Sequence, residues 1–264
     1  MRTVRILFVG DIIGSPGRRA AGKLLEGLRS RLDCGFVIVN AENAAGGLGI
    51  TVPTATALLG AGADVLTLGN HTFAKRDVAP YLNEEPRIIR PANYPPGAPG
   101  RGWGVFETTD GESVAVISLM GRTFMDAIDC PFRAANAVLA EIGSKTKIIV
   151  VDMHAEATSE KKAMGWHLDG RVSAVIGTHT HVQTSDERVL PGQTAYMTDV
   201  GMTGVRDSVL GLDSAAVIER FMTHVPSKFQ LAEGPTCLNA AVIEVDAGTG
   251  HAISIERVTQ GEEL

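Results

Sequence analysis

Little in this chain of 264 residues serves cross-linking or membrane insertion. Its three cysteines, Cys34, Cys130 and Cys237, lie far apart and form no Cys-x-x-Cys pair, so neither a disulfide framework nor a thiolate zinc site is expected. A reducing, cytoplasmic setting fits that pattern. No apolar run approaches the ~18 residues of a membrane-spanning helix. The N-terminal apolar stretch, residues 4–10, ends in Asp11 and is too short for a secretory signal, so it is read as a first strand. Positive charge is also scarce, with 24 Lys and Arg against 30 Asp and Glu, a net charge of −6. Stable DNA binding is not expected, because neutralising phosphates takes clustered Lys and Arg. An anionic ligand would have to be held by local positive charge, from backbone amides or bound cations.

What the chain has in abundance is glycine, 30 residues, within a composition of 44% hydrophobic and 20% charged residues that suits a folded globule. Many glycines follow short apolar runs: residues 5–10, 36–40, 65–68, 114–119, 148–151 and 172–177. Continuous Val, Ile and Leu runs predict strands covered on both faces. Helical patterns fall between them at 16–32, 54–61, 74–82, 132–142, 158–168 and 214–223. Ser15 is the candidate cap of the first, with Pro16 at its first position. Near the C-terminus, residues 239–245 and 252–258 flank turn residues and predict an antiparallel hairpin. The expectation is a layered α/β sandwich, mixed sheets flanked by helices, in a single domain over residues 1–264. The Pro- and Gly-rich segment 91–102 is expected to be a rigid surface loop rather than a linker.

Five of the apolar runs lead into metal-capable side chains. They deliver Asp11, then Glu42 and Asn43, then Asn70 and His71, then His154, and last His179 and His181. In open α/β sheets ligands bind at the carboxyl ends of strands, so these clusters are expected to converge. His179 and His181, two residues apart in an extended segment, would face one point. His167, His224 and His251 lie outside the strand ends and are assigned structural roles. Carboxylate, carboxamide and imidazole without sulfur suit iron, manganese or zinc. Six or seven candidate ligands exceed what one tetrahedral ion uses, which points to two cations sharing a carboxylate. Two divalent ions against Asp11 and Glu42 would leave the pocket net positive, fit for a phosphate ester.

The order Asp, acidic residue, G-N-H, His, G-x-H-x-H resembles the calcineurin-like metallophosphoesterases. More closely, GDIIGSPGR, NAENAAGG, LGNHTF, the block from His154 to Thr184 and TDVGMTG resemble the bacterial YmdB-like phosphodiesterases. That resemblance implies Asp11, His181 and Asn43 at a first metal, Asn70, His154 and His179 at a second, and Glu42 bridging them. It makes His71 the general acid. It implies two ions, iron (Fe²⁺/Fe³⁺) or manganese ahead of zinc or magnesium. The implied reaction is hydrolysis of 2′,3′-cyclic AMP or a related phosphodiester by a metal-bridging hydroxide. Ile13 stands where the wider superfamily has a histidine, and Glu42 where it has aspartate. The resemblance also carries the expectation of a homo-oligomer. Two other functions share these ligands: a phosphomonoesterase of the nucleotidase type, and a regulatory nucleotide-binding metalloprotein with little turnover.

Weaker signals remain open. The glycine-rich 44–50 segment lacks G-x-G-x-x-G spacing and is expected to be a loop bordering the site. Residues 15–18 suit a plain helix start or an anion-holding one. Arg122 and Phe124 fit either substrate contact or ordinary surface and core duty. Asp152 and Asp199 fit either carboxylates behind ligand imidazoles or turn residues. Glu156, Glu160, Lys161 and Lys162 are expected on an exposed helix face.

Overall fold

The computed structural model describes residues 2–226, 228 and 230–261. The chain begins with β1 (Thr3–Val9), β2 (Asp11–Ile12), α1 (Gly14–Arg31), β3 (Phe36–Asn40) and α2 (Val52–Gly60). Next come β4 (Val65–Thr67), α3 (Val78–Glu84), β5 (Ile88–Ile89), β6 (Trp103–Glu107) and β7 (Ser113–Met120). They are followed by α4 (Pro131–Ile142), β8 (Ile148–His154), α5 (Thr158–Leu168), β9 (Ala174–Thr178) and β10 (Arg188–Val189). The last elements are β11 (Ala195–Met197), β12 (Met202–Val205), α6 (Ser214–Thr223), β13 (Thr236–Asp246) and β14 (Ala252–Gly261). No described helix is long and apolar enough to cross a membrane.

Two mixed sheets result. One runs β2-β12-β13-β1-β3-β4-β5, with β14 also on β13; the other runs β10-β11-β9-β8-β7-β6. β1, β3, β4 and β5 are parallel, as are β7, β8, β9 and β11, while β13 lies antiparallel to β1. Three apolar layers hold these parts together. Leu7, Val9, Val37 and Val39 pack against Leu25 of α1 and Leu58 of α2. Ile6, Phe8, Phe36 and Ile38 meet Val116, Val150 and Ile176 between the sheets. Ile117, Val151 and Val175 pack against Val138 of α4 and Met164 of α5. Alternate side chains of each strand thus feed two different cores, which is why the runs are continuous rather than alternating. The helix–sheet–sheet–helix sandwich expected from the sequence is the one observed.

The starts of α2 and α6 follow local capping chemistry. Thr51 and Thr54 form a reciprocal capping box at α2, the Thr51 backbone N–H donating to Thr54 Oγ1 at 2.9 Å. Asp213 Oδ1 accepts from Ala216 N–H at 3.0 Å and caps α6. Ser15 is not the cap of α1, which starts at Gly14 after Ile13. The entering chain is already satisfied by neighbouring strands and loops: Ile13 N–H donates to Thr203 O at 2.9 Å, and Gly14 N–H to Asn43 O at 2.9 Å. The 91–102 segment is irregular, as expected, but it folds around a side chain. The Arg90 guanidinium donates to the carbonyls of Pro91, Ala98 and Pro99. The short strands β2, β5, β6, β10, β11 and β12 have too few residues or too mixed a pattern to stand out in the sequence.

Candidate metal centre

At the carboxyl ends of the strands, the inter-sheet layer changes chemistry without changing geometry. Ile38, Val65, Val116, Val150 and Ile176 face this layer. Two residues further along each strand come Asn40, Thr67, Ser118, Asp152 and Thr178, all fully buried. They form a hydrogen-bonded polar floor. Asp152 accepts from Asn40 Nδ2 at 3.0 Å, from Thr178 Oγ1 at 2.6 Å and from the Thr67 hydroxyl. Because Thr178 gives its single proton to Asp152, it must accept from His154 Nδ1–H, 2.8 Å away. That assignment leaves His154 Nε2 pointing off the floor, toward Glu42 and Asn70.

Above the floor the expected residues converge. Glu42 Oε1 stands 3.0 Å from His154 Nε2 and 3.4 Å from His71 Nδ1. Asn43 Nδ2 donates to the same oxygen at 3.2 Å, and His71 N–H donates to Glu42 Oε2 at 3.1 Å. Asn70 Oδ1 is 3.0 Å from His154 Nε2. On the other flank, Asp11 Oδ2 accepts the His179 backbone N–H at 3.2 Å. Asn43 Nδ2 lies 3.3 Å from His181 Nε2, whose other nitrogen faces the Leu210 carbonyl at 3.4 Å. The ligand atoms of Glu42, His154 and His179 all fall within 4.8 Å of one another. Gly69 shows how tightly the backbone closes in: a Cβ there would sit 2.3 Å from His154 Nε2 and 2.5 Å from Glu42 Oε2. Only glycine admits that approach.

The electrostatics are those of two buried carboxylates among imidazoles. Burial alone would raise the Asp11 carboxyl, but the imidazole of His181 beside it and the His179 N–H outweigh that and hold it well below the usual carboxylate range. Glu42 is likewise lowered, with His154 overcoming the effect of burial. Burial opposes charge on His154, yet Glu42 raises it to about 9, whereas burial and the neighbouring His154 push His179 down to about 3. Burial drives Asp152 up to about 6 against its hydroxyl donors. One atom is left over. Asp11 Oδ1 is buried without a hydrogen-bond partner, and His181 Nε2, 3.6 Å away, is too far to supply one. A buried carboxylate oxygen costs several kcal/mol to leave uncompensated. An oxygen-seeking cation beside Asp11, Glu42 and the clustered imidazoles would supply what the protein atoms do not, so the donor set fits a metal.

The cluster opens into a cavity of about 350 Å³ bordered by Ile13, Gly47, His71, Glu156, His181 and Leu210. All eight singled-out residues, Asp11, Glu42, Asn43, Asn70, His71, His154, His179 and His181, are therefore brought together. The loop at 44–50 borders this cavity, as expected, through Gly47. The route of two of them differs from expectation. His179 and His181 are not extended: their φ values are 90° and 63°, and β9 ends before them at Thr178. Left-handed backbone costs about 1–3 kcal/mol at a non-glycine residue, so the turn is held by its surroundings. It sends the rings to different places, His179 to the His154 side, with ring centroids 4.7 Å apart, and His181 to the Asp11 side.

Other expectations are corrected. Glu156 is part of the site, its Oε2 lying 3.2 Å from His179 Nε2, a proximity that only the fold creates. Lys161 is fully buried rather than on an exposed face, and pairs with Asp199 at 2.7 Å. Glu160 accepts the backbone N–H groups of Arg122 and Thr123. Asp152 does stand behind an imidazole, through Thr178, whereas Asp199 reaches Thr180 instead of a ring. Arg122 and Phe124 do not border the cavity, and Phe124 is 89% exposed. His167 faces Asn136 at 3.0 Å, away from the site.

Residues 7–258 match the family model described as YmdB-like protein. A Bacillus subtilis protein named 2′,3′-cyclic-nucleotide 2′-phosphodiesterase is 48% identical over 97% of this chain and 96% of its own. Among solved structures, a Thermus thermophilus hypothetical protein is 43% identical with a TM-score of 0.92, covering 98% of this chain and 100% of its own. A structure described as a novel phosphatase, from Mycoplasma pneumoniae, is 33% identical, also with a TM-score of 0.92, over 100% of this chain and 95% of its own.

Proposed function

Since the chain belongs to the YmdB-like family, we propose that it is a phosphodiesterase that opens 2′,3′-cyclic nucleotides at the 2′ ester, using two cations held by the residues converging on Glu42. The observation that carries this reading is the orphaned Asp11 Oδ1 within a sulfur-free ring of carboxylate, carboxamide and imidazole donors. Asp11 and Asn43 approach His181 at 3.6 and 3.3 Å, while Asn70 and His179 approach His154, at 3.0 Å and with ring centroids 4.7 Å apart. That division supports two positions with Glu42 shared between them. Iron or manganese suits the donors best, and the cations supply Lewis-acid charge neutralisation and an activated water. The two sheets share one core, which supports a single domain over the chain.

The chain's own residues then have distinct tasks. Asp152, through Thr178, keeps the Nδ1 proton on His154 and turns its Nε2 to the site. Asn43 directs its amide N–H groups toward Glu42 and His181, so its Oδ1 accepts from His71 Nδ1–H at 2.8 Å. This holds the imidazole with Nε2 free for a second proton. In its imidazolium form His71 gives that proton to the departing 2′ oxygen as the P–O bond breaks, and water's hydroxyl becomes part of the 3′-phosphate. With its side chain 31% exposed, His71 recovers a proton from solvent. Ile13, Leu210 and Leu212 give the cavity an apolar wall suited to the nucleoside.

The test compares 2′,3′-cyclic AMP, a chromogenic phosphodiester and its monoester on Mn²⁺-loaded protein. Cleavage of the diesters, abolished by a chelator and restored by Mn²⁺, is the expected result. Cleavage of the monoester alone would make the protein a phosphomonoesterase. Binding of 2′,3′-cyclic AMP without cleavage of any of the three would make it a regulatory metalloprotein.

A further inference from the structure

Beneath the two site histidines lies a charged pair that the reaction does not use. Lys161, on α5, and Asp199, just after β11, are both fully buried, with Nζ 2.7 Å from Asp199 Oδ2. The same carboxylate oxygen accepts both the backbone N–H of Thr180 at 3.1 Å and its hydroxyl at 2.6 Å. Lys161 Nζ donates in turn to Thr180 Oγ1 at 3.0 Å. Asp199 Oδ1 is occupied by the Gly201 N–H at 2.7 Å. Thr180 is the residue between His179 and His181, the two with left-handed backbone.

As a source of stability this arrangement is poor, because a fully buried ion pair recovers little more than its desolvation cost. As a source of geometry it is strong. Three hydrogen bonds converge on one residue in the middle of a turn that the local backbone does not favour. The approach is also close. A Cβ on Gly177 would stand 1.8 Å from Thr198 O and 3.0 Å from Lys161 Cδ, so β9, the β11 exit and the lysine stem are pressed together at this point. No described hydrogen bond joins Lys161 or Asp199 to an imidazole, so their mechanical hold on the two histidines runs through Thr180.

We propose that Lys161 and Asp199 are positioning residues for the cation site, clamping Thr180 so that His179 and His181 stay in the left-handed turn that sends one ring to each side of Glu42. This inference rests on the reading of the site as a cation centre. Its own content is the mechanical claim that the clamp holds the turn.

Thr180→Val removes the hydroxyl while keeping the side-chain shape, Thr180→Ser keeps the hydroxyl, and Lys161→Met removes the charge from the far side. Mn²⁺ affinity of chelator-stripped protein, by calorimetry, and crystal structures of the stripped variants are the two readouts. Thr180→Val and Lys161→Met are expected to bind Mn²⁺ about 10–100-fold more weakly, the usual effect of losing a group behind a ligand. Thr180→Ser should stay within about twofold of the wild type, since it keeps every hydrogen bond of the clamp. In stripped Thr180→Val, His179 and His181 are expected to leave the left-handed region. Should Lys161→Met fail to fold, Thr180→Val still decides. Unchanged φ values at both histidines would overturn the proposal, whether or not affinity falls, because the effect would then bypass the turn. So would wild-type affinity in a folded Thr180→Val. If the wild-type protein binds no Mn²⁺, the cation reading fails, and the φ comparison alone decides the clamp.

Discussion

The two halves of the inter-sheet layer make an instructive pair. In the half near the strand starts, Ile6, Phe36, Val65, Val114, Ile148 and Ala174 interlock as an apolar core. In the half at the strand ends, the positions pointing the same way carry Asn40, Thr67, Ser118, Asp152, His154 and Thr178. Backbone geometry is the same in both, so the difference is chemical. The first half removes hydrocarbon from water, worth about 1.5–3 kcal/mol for each large side chain. The second buries polar groups that must find partners inside the protein, a net gain of typically about 1 kcal/mol per hydrogen bond. One half stabilises the sandwich; the other uses that rigidity to hold imidazoles and carboxylates where they would not stay unaided.

Substitutions can break this division or sharpen it. The largest effect is expected from His71→Ala, which should lower kcat by about 10²–10⁴ while leaving metal content intact. Elemental analysis beside steady-state kinetics checks both parts, and an unchanged kcat would remove His71 as the acid. Next comes Phe36→Ala in the apolar half, expected to cost about 3–5 kcal/mol in urea unfolding. Its kcat/KM, measured on the fraction still folded, should remain near the wild type; a collapse in kcat would show the halves to be coupled. Asp152→Asn in the polar half should do the reverse. Cation affinity is expected to fall about 10–100-fold in chelator competition, because the carboxylate that fixes the His154 tautomer is gone.

The smallest effect concerns the outer layer, where burial pushes the Tyr196 phenol from its usual value of 10 up to about 12. A raised folded value means its contribution is fully present below pH 10 and lost as pH rises through 12. Tyr196→Phe should therefore flatten the fall in Tm over that interval, with no change near neutral pH beyond the lost bond to Thr198 Oγ1 at 3.0 Å. An unchanged slope would place the alkaline sensitivity elsewhere.

Much of this was legible along the chain. The long strands β1, β3, β7 and β8, the helices α5 and α6 and the final hairpin follow from runs and periods that are properties of consecutive residues. So does the grouping of the eight site residues, because each follows an apolar run and strand ends converge in sheets of this kind. Legibility failed where a partner distant in sequence decides the outcome. Lys161 looked solvent-facing because its neighbours are charged, and Asp199, 38 positions away, draws it inward. Glu156 had no motif to mark it, and only the turn of His179 brings a nitrogen to it. The extended reading of H-T-H failed for the same reason, since the clamp on Thr180 comes from α5 and from the exit of β11.

By itself, the order of residues determined which side chains are available for chemistry, the alternation that feeds two cores from each strand, and the family to which the chain belongs. Tertiary structure alone decided the left-handed turn at His179 and His181, the seating of His154 against Thr178, and the stranded oxygen of Asp11. The reason is one of range. Periodicity and turn preference act over a few residues, whereas each of these three features depends on hydrogen bonds made, or left unmade, across the two sheets.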